Sequence, residues 1–227
     1  MSFTQEFNLL LKARYPIIYV TTIEEDRLEY TIRSCIKKNS NRGIYIWDFV
    51  EGYINNPNNN GIAKRNPLQA LEFIEKITPE SPAIFLLKDF NRFLNDVSIS
   101  RKLKNLIRIL KTQPKTLIIV APDVNIPNEF IDTISILEFQ LPQLNEIKQE
   151  LNRLVNSLNQ EIENNVFESL VNSCQGLSLE RIRRVLSKII ALNKTLDNRA
   201  IELILKEKRQ IIYQTQILEF CLSDNTI

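Results

Sequence analysis

The chain has 227 residues, 44% hydrophobic and 25% charged, with 29 Lys and Arg against 27 Asp and Glu for a formal charge of +2. That is enough apolar length for one good core, or for a main domain with a smaller appendage, and it exerts no global pull toward nucleic acid or membrane. The absence of histidine excludes Ser-His-Asp and Cys-His nucleophiles and His-ligated zinc, while Cys35, Cys174 and Cys221, far apart and with no close pair, read as buried or idle thiols in a reducing compartment.

The opening segment, MSFTQEFNLLLKARYP, carries Glu6 early and only a brief apolar run at Asn8–Leu11. It is neither a secretory signal nor an Arg-rich presequence. No apolar run approaches the ~20 residues of a membrane helix, so the expectation is a soluble, intracellular protein. Five short apolar runs follow: Pro16–Val20, Gly43–Phe49, Ala83–Leu87, Thr116–Val120 and Thr133–Phe139. Four are nearly continuous β-branched or leucine runs, the pattern of strands buried on both faces. Between the first four lie helical stripes: Leu28, Ile32, Cys35 and Ile36; Leu68, Leu71 and Ile74; and Leu103, Leu106, Ile107 and Leu110. Alternating strand and helix predicts a parallel five-stranded sheet with crossover helices. Asn66-Pro67-Leu68-Gln69 supplies a helix start, and Thr22 with Glu25 a second, as a capping box. NNPNNNG at Asn55–Gly61 is a low-complexity loop. Beyond Pro142 only helical patterns remain, at Pro142–Leu158, Glu163–Ser173, Ser178–Leu192 and Asn198–Phe220. This gives an α/β domain over 1–141, an all-helical domain over 142–213 and a polar linker or tail over 214–227.

The junction IIYVTTIEEDRLEY, Ile17–Tyr30, sits where a nucleotide-binding α/β fold would carry a glycine-rich phosphate loop. Such a loop aims backbone N–H groups at the phosphates, and needs glycine to do so. The four glycines, Gly43, Gly52, Gly61 and Gly176, all lie elsewhere, and none precedes Lys-Ser/Thr. Glu24, Glu25 and Asp26 in the first helical turn suit the helix dipole and repel phosphate. The third strand ends FLLKDF, which offers Asp89 as a degenerate Mg²⁺ candidate but Phe90 where a water-activating Glu would stand. The plainer reading of Asp89 is ordinary loop chemistry. The fourth strand ends in Ala121 and Pro122, with no polar group to sense a terminal phosphate, and no arginine lies between Arg108 and Arg153 to reach a neighbour's nucleotide. No catalytic, cofactor-binding or metal-ligating residue follows from the sequence.

The strings YPIIYVTTIEEDRLEY, WDFVEGY, GIAKRNPLQALEFI, LLKDFNRFLND and QGLSLERIRRVLSKII closely resemble the AAA-domain protein family that algal plastids and cyanobacteria encode as a hypothetical chloroplast open reading frame. The resemblance covers essentially the whole chain. It implies an AAA-like parallel five-stranded sheet flanked by helices and followed by a helical lid. In that family two AAA modules lie in tandem, the first degenerate and the second with an intact phosphate loop. This chain resembles the first module alone, and QIIYQTQILEF (Gln210–Phe220) resembles the lead into the second. The implied function is a catalytically inactive module acting in assembly, with ATP and Mg²⁺ expected only for the second module. Implied partners are further copies of the chain and that second module, in the chloroplast stroma or the cyanobacterial cytoplasm. The alternative is a nucleic-acid-binding relative of the clamp-loader type.

Four further features carry expectations. Arg101, Lys104, Arg108 and Lys111 form a basic stripe opposite the leucine face of their helix, suited to nucleic acid or an acidic neighbour, or simply to water. Tyr45 and Trp47 read as core, whereas Tyr53 stays open because it lies nearer the Asn-rich loop. In AAA rings an aromatic near such a loop grips polypeptide. Arg181 and Arg184 follow GLS, where related modules place a nucleotide-sensing arginine; here they are expected in salt bridges. Ile217, Leu218 and Phe220 extend the last helix beyond what its own domain needs, which marks them as a partner interface, the plainer alternative being a frayed tail.

Overall fold

The computed structural model describes all residues except 40–41, 55–57, 59, 159, 161, 194–195, 197 and 216–227. The chain divides into two compact units, Met1–Gln140 and Leu141–Ile227.

The first unit begins with helix α1 (Phe3–Lys12), which the sequence reading leaves unassigned. Ser2 and Gln5 start it as a reciprocal capping box, with Gln5 N–H on Ser2 Oγ at 3.3 Å and Ser2 N–H on Gln5 Oε1 at 3.0 Å. Phe7, Leu10 and Leu11 then fall on one face and are buried. Strands β1 (Ile17–Thr21), β2 (Gly43–Asp48), β3 (Gly52–Ile54), β4 (Ala83–Lys88), β5 (Lys115–Ala121) and β6 (Ile134–Glu138) form a single sheet in the order β3-β2-β4-β5-β1-β6. Five strands are parallel. The expectation of a five-stranded sheet is corrected by β3, which returns antiparallel to β2 along the edge, pairing Trp47 with Tyr53. A tight turn makes this possible: the Asp48 carboxylate accepts from the N–H groups of Val50 and Glu51, each at 2.8 Å. Gly52 completes it at φ +72°, where an added Cβ would lie 2.5 Å from the Ile62 carbonyl oxygen.

Alternation along the strands divides the core in two. Ile18, Val20, Ile84, Leu86, Ile118 and Val120 face α1 and helix α2 (Glu25–Asn39). Ile17, Tyr19, Trp47, Phe85, Leu87 and Ile119 face helices α3 (Pro67–Lys76) and α4 (Val97–Leu110). The helix stripes predicted from spacing are the buried faces: Leu28, Ile32, Cys35 and Ile36 on α2, and Leu103, Leu106, Ile107 and Leu110 on α4. Asn66 caps α3 through Gln69 N–H at 3.0 Å, with Pro67 at its first position. Tyr53 belongs to the core. It is 1% exposed, and its hydroxyl donates to the Ala70 carbonyl at 2.8 Å.

The described residues of the second unit form four helices, α5 (Leu144–Ser157), α6 (Asn164–Cys174), α7 (Leu179–Asn193) and α8 (Asn198–Thr215). They close on their own core of Ile147, Leu151, Leu170, Leu186, Ala200 and Ile204. Gly176 turns the chain between α6 and α7 at φ +79°. Among the described residues no helix is long and apolar enough to cross a membrane.

Candidate functional site

An open α/β sheet presents its ligand crevice outside the C-terminal ends of its strands. Three of those ends lie side by side here, β4, β5 and β1. Thr22 N–H continues the β1·β5 ladder to the Ala121 carbonyl at 2.9 Å. The Thr22 hydroxyl then accepts from Glu24 N–H at 3.0 Å. The capping box expected between Thr22 and Glu25 is thus replaced by a shorter turn, and α2 starts at Glu25.

Glu24 is turned inward, its side chain only 5% exposed, and it meets Arg27, 11% exposed, at 2.6 Å. A carboxylate that far from water requires a counter-charge, and Arg27 supplies it through both Nε (2.8 Å) and Nη2. The same guanidinium donates to the Gln140 carbonyl and lies over the Phe139 ring, 4.1 Å from its centroid. Glu25 points the other way, to Lys88 at the end of β4: Lys88 Nζ is 3.3 Å from Glu25 and 3.8 Å from Glu29. Glu29 also receives Arg33 at 2.9 Å. The junction is therefore filled by carboxylates, with the cations of the same chain already engaged on them. It has no glycine and no uncommitted lysine.

At the end of β4 the arrangement is different. Asp89 takes a left-handed conformation, φ 54° and ψ 22°, and its N–H extends the β4·β5 ladder to Val120 at 2.8 Å. Among the described residues no cation pairs with its carboxylate. Phe90 follows at 0% exposure, opening the 3₁₀ turn Phe90–Phe93 and packing edge-to-face on Trp47 at 5.5 Å. The position where a water-activating carboxylate would stand is thus a core anchor. Beside it the buried Tyr19 hydroxyl donates to the Asp123 carbonyl at 2.7 Å and accepts from Asn125 N–H at 3.4 Å. Burial raises the Tyr19 pKa, the charges of Asp123 and Asp89 push the same way, and hydrogen bonds from Asn125 and Asn91 oppose them. Asn91 is 4% exposed, with no partner for its Oδ1 among the described residues. Among those residues no three His, Cys, Asp or Glu side chains gather to hold a metal ion.

The basic stripe lies apart from this crevice on α4. Lys104 pairs with Glu129 at 2.6 Å, whereas Arg101, Arg108 and Lys111 are exposed and without an ionic partner among the described residues. In the second unit Arg184 pairs with Glu180 at 2.6 Å, while the Arg181 side chain has no such partner among the described residues. Ile217, Leu218 and Phe220, read as an interface from the sequence, lie outside the described residues. Sequence reasoning overlooks Arg27, Lys88 and Tyr19. The helical spacing of Glu24 and Arg27 hints at the first pair; the others require the sheet order.

The family model described as SpoVK-like AAA ATPase, N-terminal domain, matches residues 3–139, and the model described as SpoVK-like AAA ATPase, second domain, matches residues 145–215. The AAA domain-containing protein ycf46 of Trieres chinensis is 68% identical over 220 residues, covering 97% of this chain and 44% of that protein. The ycf46 protein of Guillardia theta is 57% identical over the same shares. The chain therefore spans about 44% of the length of these curated relatives. Among solved structures, a RuvB variant of Thermotoga maritima superposes with a TM-score of 0.58 at 14% identity, covering 91% of this chain and 68% of that one, which is a likeness of fold.

Proposed function

Because the chain belongs to the SpoVK-like AAA ATPase family, we propose that it is a nucleotide-independent AAA module. It keeps the architecture of an ATPase, hydrolyses nothing, and acts by packing against other modules. The observation that supports this most directly is the buried Glu24–Arg27 pair at the β1–α2 junction, reinforced by Glu25 on Lys88. A polyphosphate brought there would meet two carboxylates and would have to strip both cations from them, with like-charge repulsion added to the loss of two ion pairs. Phe90 removes the companion base. The partners in this reading are further copies of the chain and an AAA module with an intact phosphate loop, which would carry ATP, Mg²⁺ and hydrolysis. Relatives more than twice as long leave room for such a module in the same polypeptide. The site of action is the plastid stroma or, for a cyanobacterial form, the cytoplasm.

The test is thermal denaturation of the chain with 1 mM Mg-ATP. A dissociation constant of about 100 μM would stabilise the fold by about 1.4 kcal/mol, and the expected shift is zero. A dose-dependent rise in melting temperature would end the proposal. A second reading, nucleic-acid binding, draws support from Arg101, Arg108 and Lys111, which are exposed and lack ionic partners among the described residues. Neutralising these three with Lys104 would then flatten the log-log salt dependence of DNA binding by up to about 4.

A further inference from the structure

Arg27 holds more than Glu24. Its guanidinium reaches the carbonyl of Gln140, the last residue of the first unit, and covers the ring of Phe139 beside it. Phe139 is fixed from two other sides. Its N–H donates to the Thr21 carbonyl at 3.0 Å, one step beyond the β1·β6 ladder, and its ring meets Phe3 of α1 edge-on at 4.7 Å. Every contact converges on the last two residues before the chain leaves the α/β unit. The contacts that grip the Phe139–Gln140 segment from α2 start from the same junction, Thr22–Arg27, at which a phosphate loop would be placed.

We propose that Glu24 and Arg27 form a latch that fixes the exit of the chain at Phe139–Gln140 without any ligand. The proposal rests on the nucleotide-independent reading for its significance, but its geometry is independent of it. Glu24 sets the rotamer of Arg27 and neutralises it, and Arg27 then turns an Nη2–H and its flat face to residues 140 and 139. Arginine suits this task and lysine does not, because only a planar guanidinium can bind a carboxylate through two nitrogens while covering an aromatic ring. A segment gripped in this way is held without a bound phosphate. The grip is present whenever the first unit is folded.

The test uses the full chain in nucleotide-free buffer. Hydrogen exchange is followed at the Phe139 amide, and chymotryptic cleavage after Phe139 is timed. Arg27→Ala should speed both by about tenfold or more, the scale set by losing hydrogen bonds to a charged group. Exchange within β4 and β5 should stay unchanged. Arg27→Lys should fall between the two and serves as the readout should the alanine variant fold poorly. Arg33→Ala, which removes the surface pair with Glu29 on the same helix, should leave residue 139 as it is in the wild type. Equal protection at residue 139 in the wild type and both Arg27 variants would overturn the latch. So would acceleration spread evenly through β4 and β5, since Arg27 would then be a general support of the core. Added Mg-ATP separates the two claims. Protection gained by the wild-type chain would refute the nucleotide-independent reading and leave the Arg27 comparison standing.

Discussion

The β1–α2 junction and the end of β4 flank the same crevice, yet the chain closes them by opposite means. At the first, charge is buried and cancelled: Glu24 with Arg27, Glu25 with Lys88. At the second, apolar volume fills the space: Phe90 packs against Trp47 at 5.5 Å and Phe93 at 5.8 Å, while the half-buried Asp89 has no ionic partner among the described residues. Ionic closure depends on both partners being present. Apolar closure tolerates loss of charge and is sensitive to loss of volume. Neighbouring strand ends of one sheet are therefore held by two unrelated physical routes.

The largest effect expected is on the apolar side. Phe90→Ala removes a fully buried ring and should lower the stability of the α/β unit by about 3–5 kcal/mol in chemical denaturation. A loss under 1 kcal/mol would break the comparison, since Phe90 would not be an anchor. Next comes the ionic side. Glu24→Ala takes the paired carboxylate away from the mostly buried Arg27, and should cost about 2–3 kcal/mol. The double variant with Arg27→Ala should cost less than the sum of the two single changes, because a double-mutant cycle isolates coupling between groups in contact. Strict additivity would show that the pair is incidental.

A smaller effect falls at high pH. The folded-state pKa of Tyr19 is raised, so above about pH 10 the unfolded chain loses this proton while the folded chain keeps it. The unfolded state then binds fewer protons, and stability falls as pH rises through that window. Asp89→Asn removes one of the charges that raise Tyr19, and should move its titration, read as tyrosinate absorbance, downward. The smallest effect is that of the same Asp89→Asn change at neutral pH, expected within about 0.5 kcal/mol of wild type with or without Mg²⁺. A loss of Mg²⁺-dependent stabilisation in this variant would show that Asp89 works as a metal ligand.

The sheet and its helices are legible in the sequence because burial on both faces leaves unbroken apolar strands, and burial on one face leaves helical stripes such as Leu28, Ile32 and Ile36. Strand β3 is not legible. Three residues beginning with glycine carry no period, and their pairing comes from the turn at Asp48. Helix α1 is missed because its apolar face is short and its start, Ser2 with Gln5, lies at the very beginning of the chain. The closure of the site is half legible. The missing glycines and the acids at Glu24–Asp26 stand in the open, and Phe90 follows Asp89 directly. The partners of those acids do not. Lys88 reaches Glu25 only because β4 ends beside α2, and Arg27 acquires its second task only because β6 lies along β1 and carries Gln140 to it.

Gly52 has a consequence for how this protein can vary. The rim of a sheet is ordinarily where substitution is most freely absorbed. At this rim, a single methyl group at residue 52 would collide with the Ile62 carbonyl 2.5 Å away and also oppose a left-handed backbone. The turn places Tyr53 under α3 and lets the Ala63 carbonyl accept Trp47 Nε1–H at 3.0 Å, so the damage would travel from the rim to the largest aromatic side chains of the core. Residue 52 is thus a point of mutational intolerance at the rim itself, and saturation mutagenesis of position 52 should leave glycine as the one well-tolerated residue.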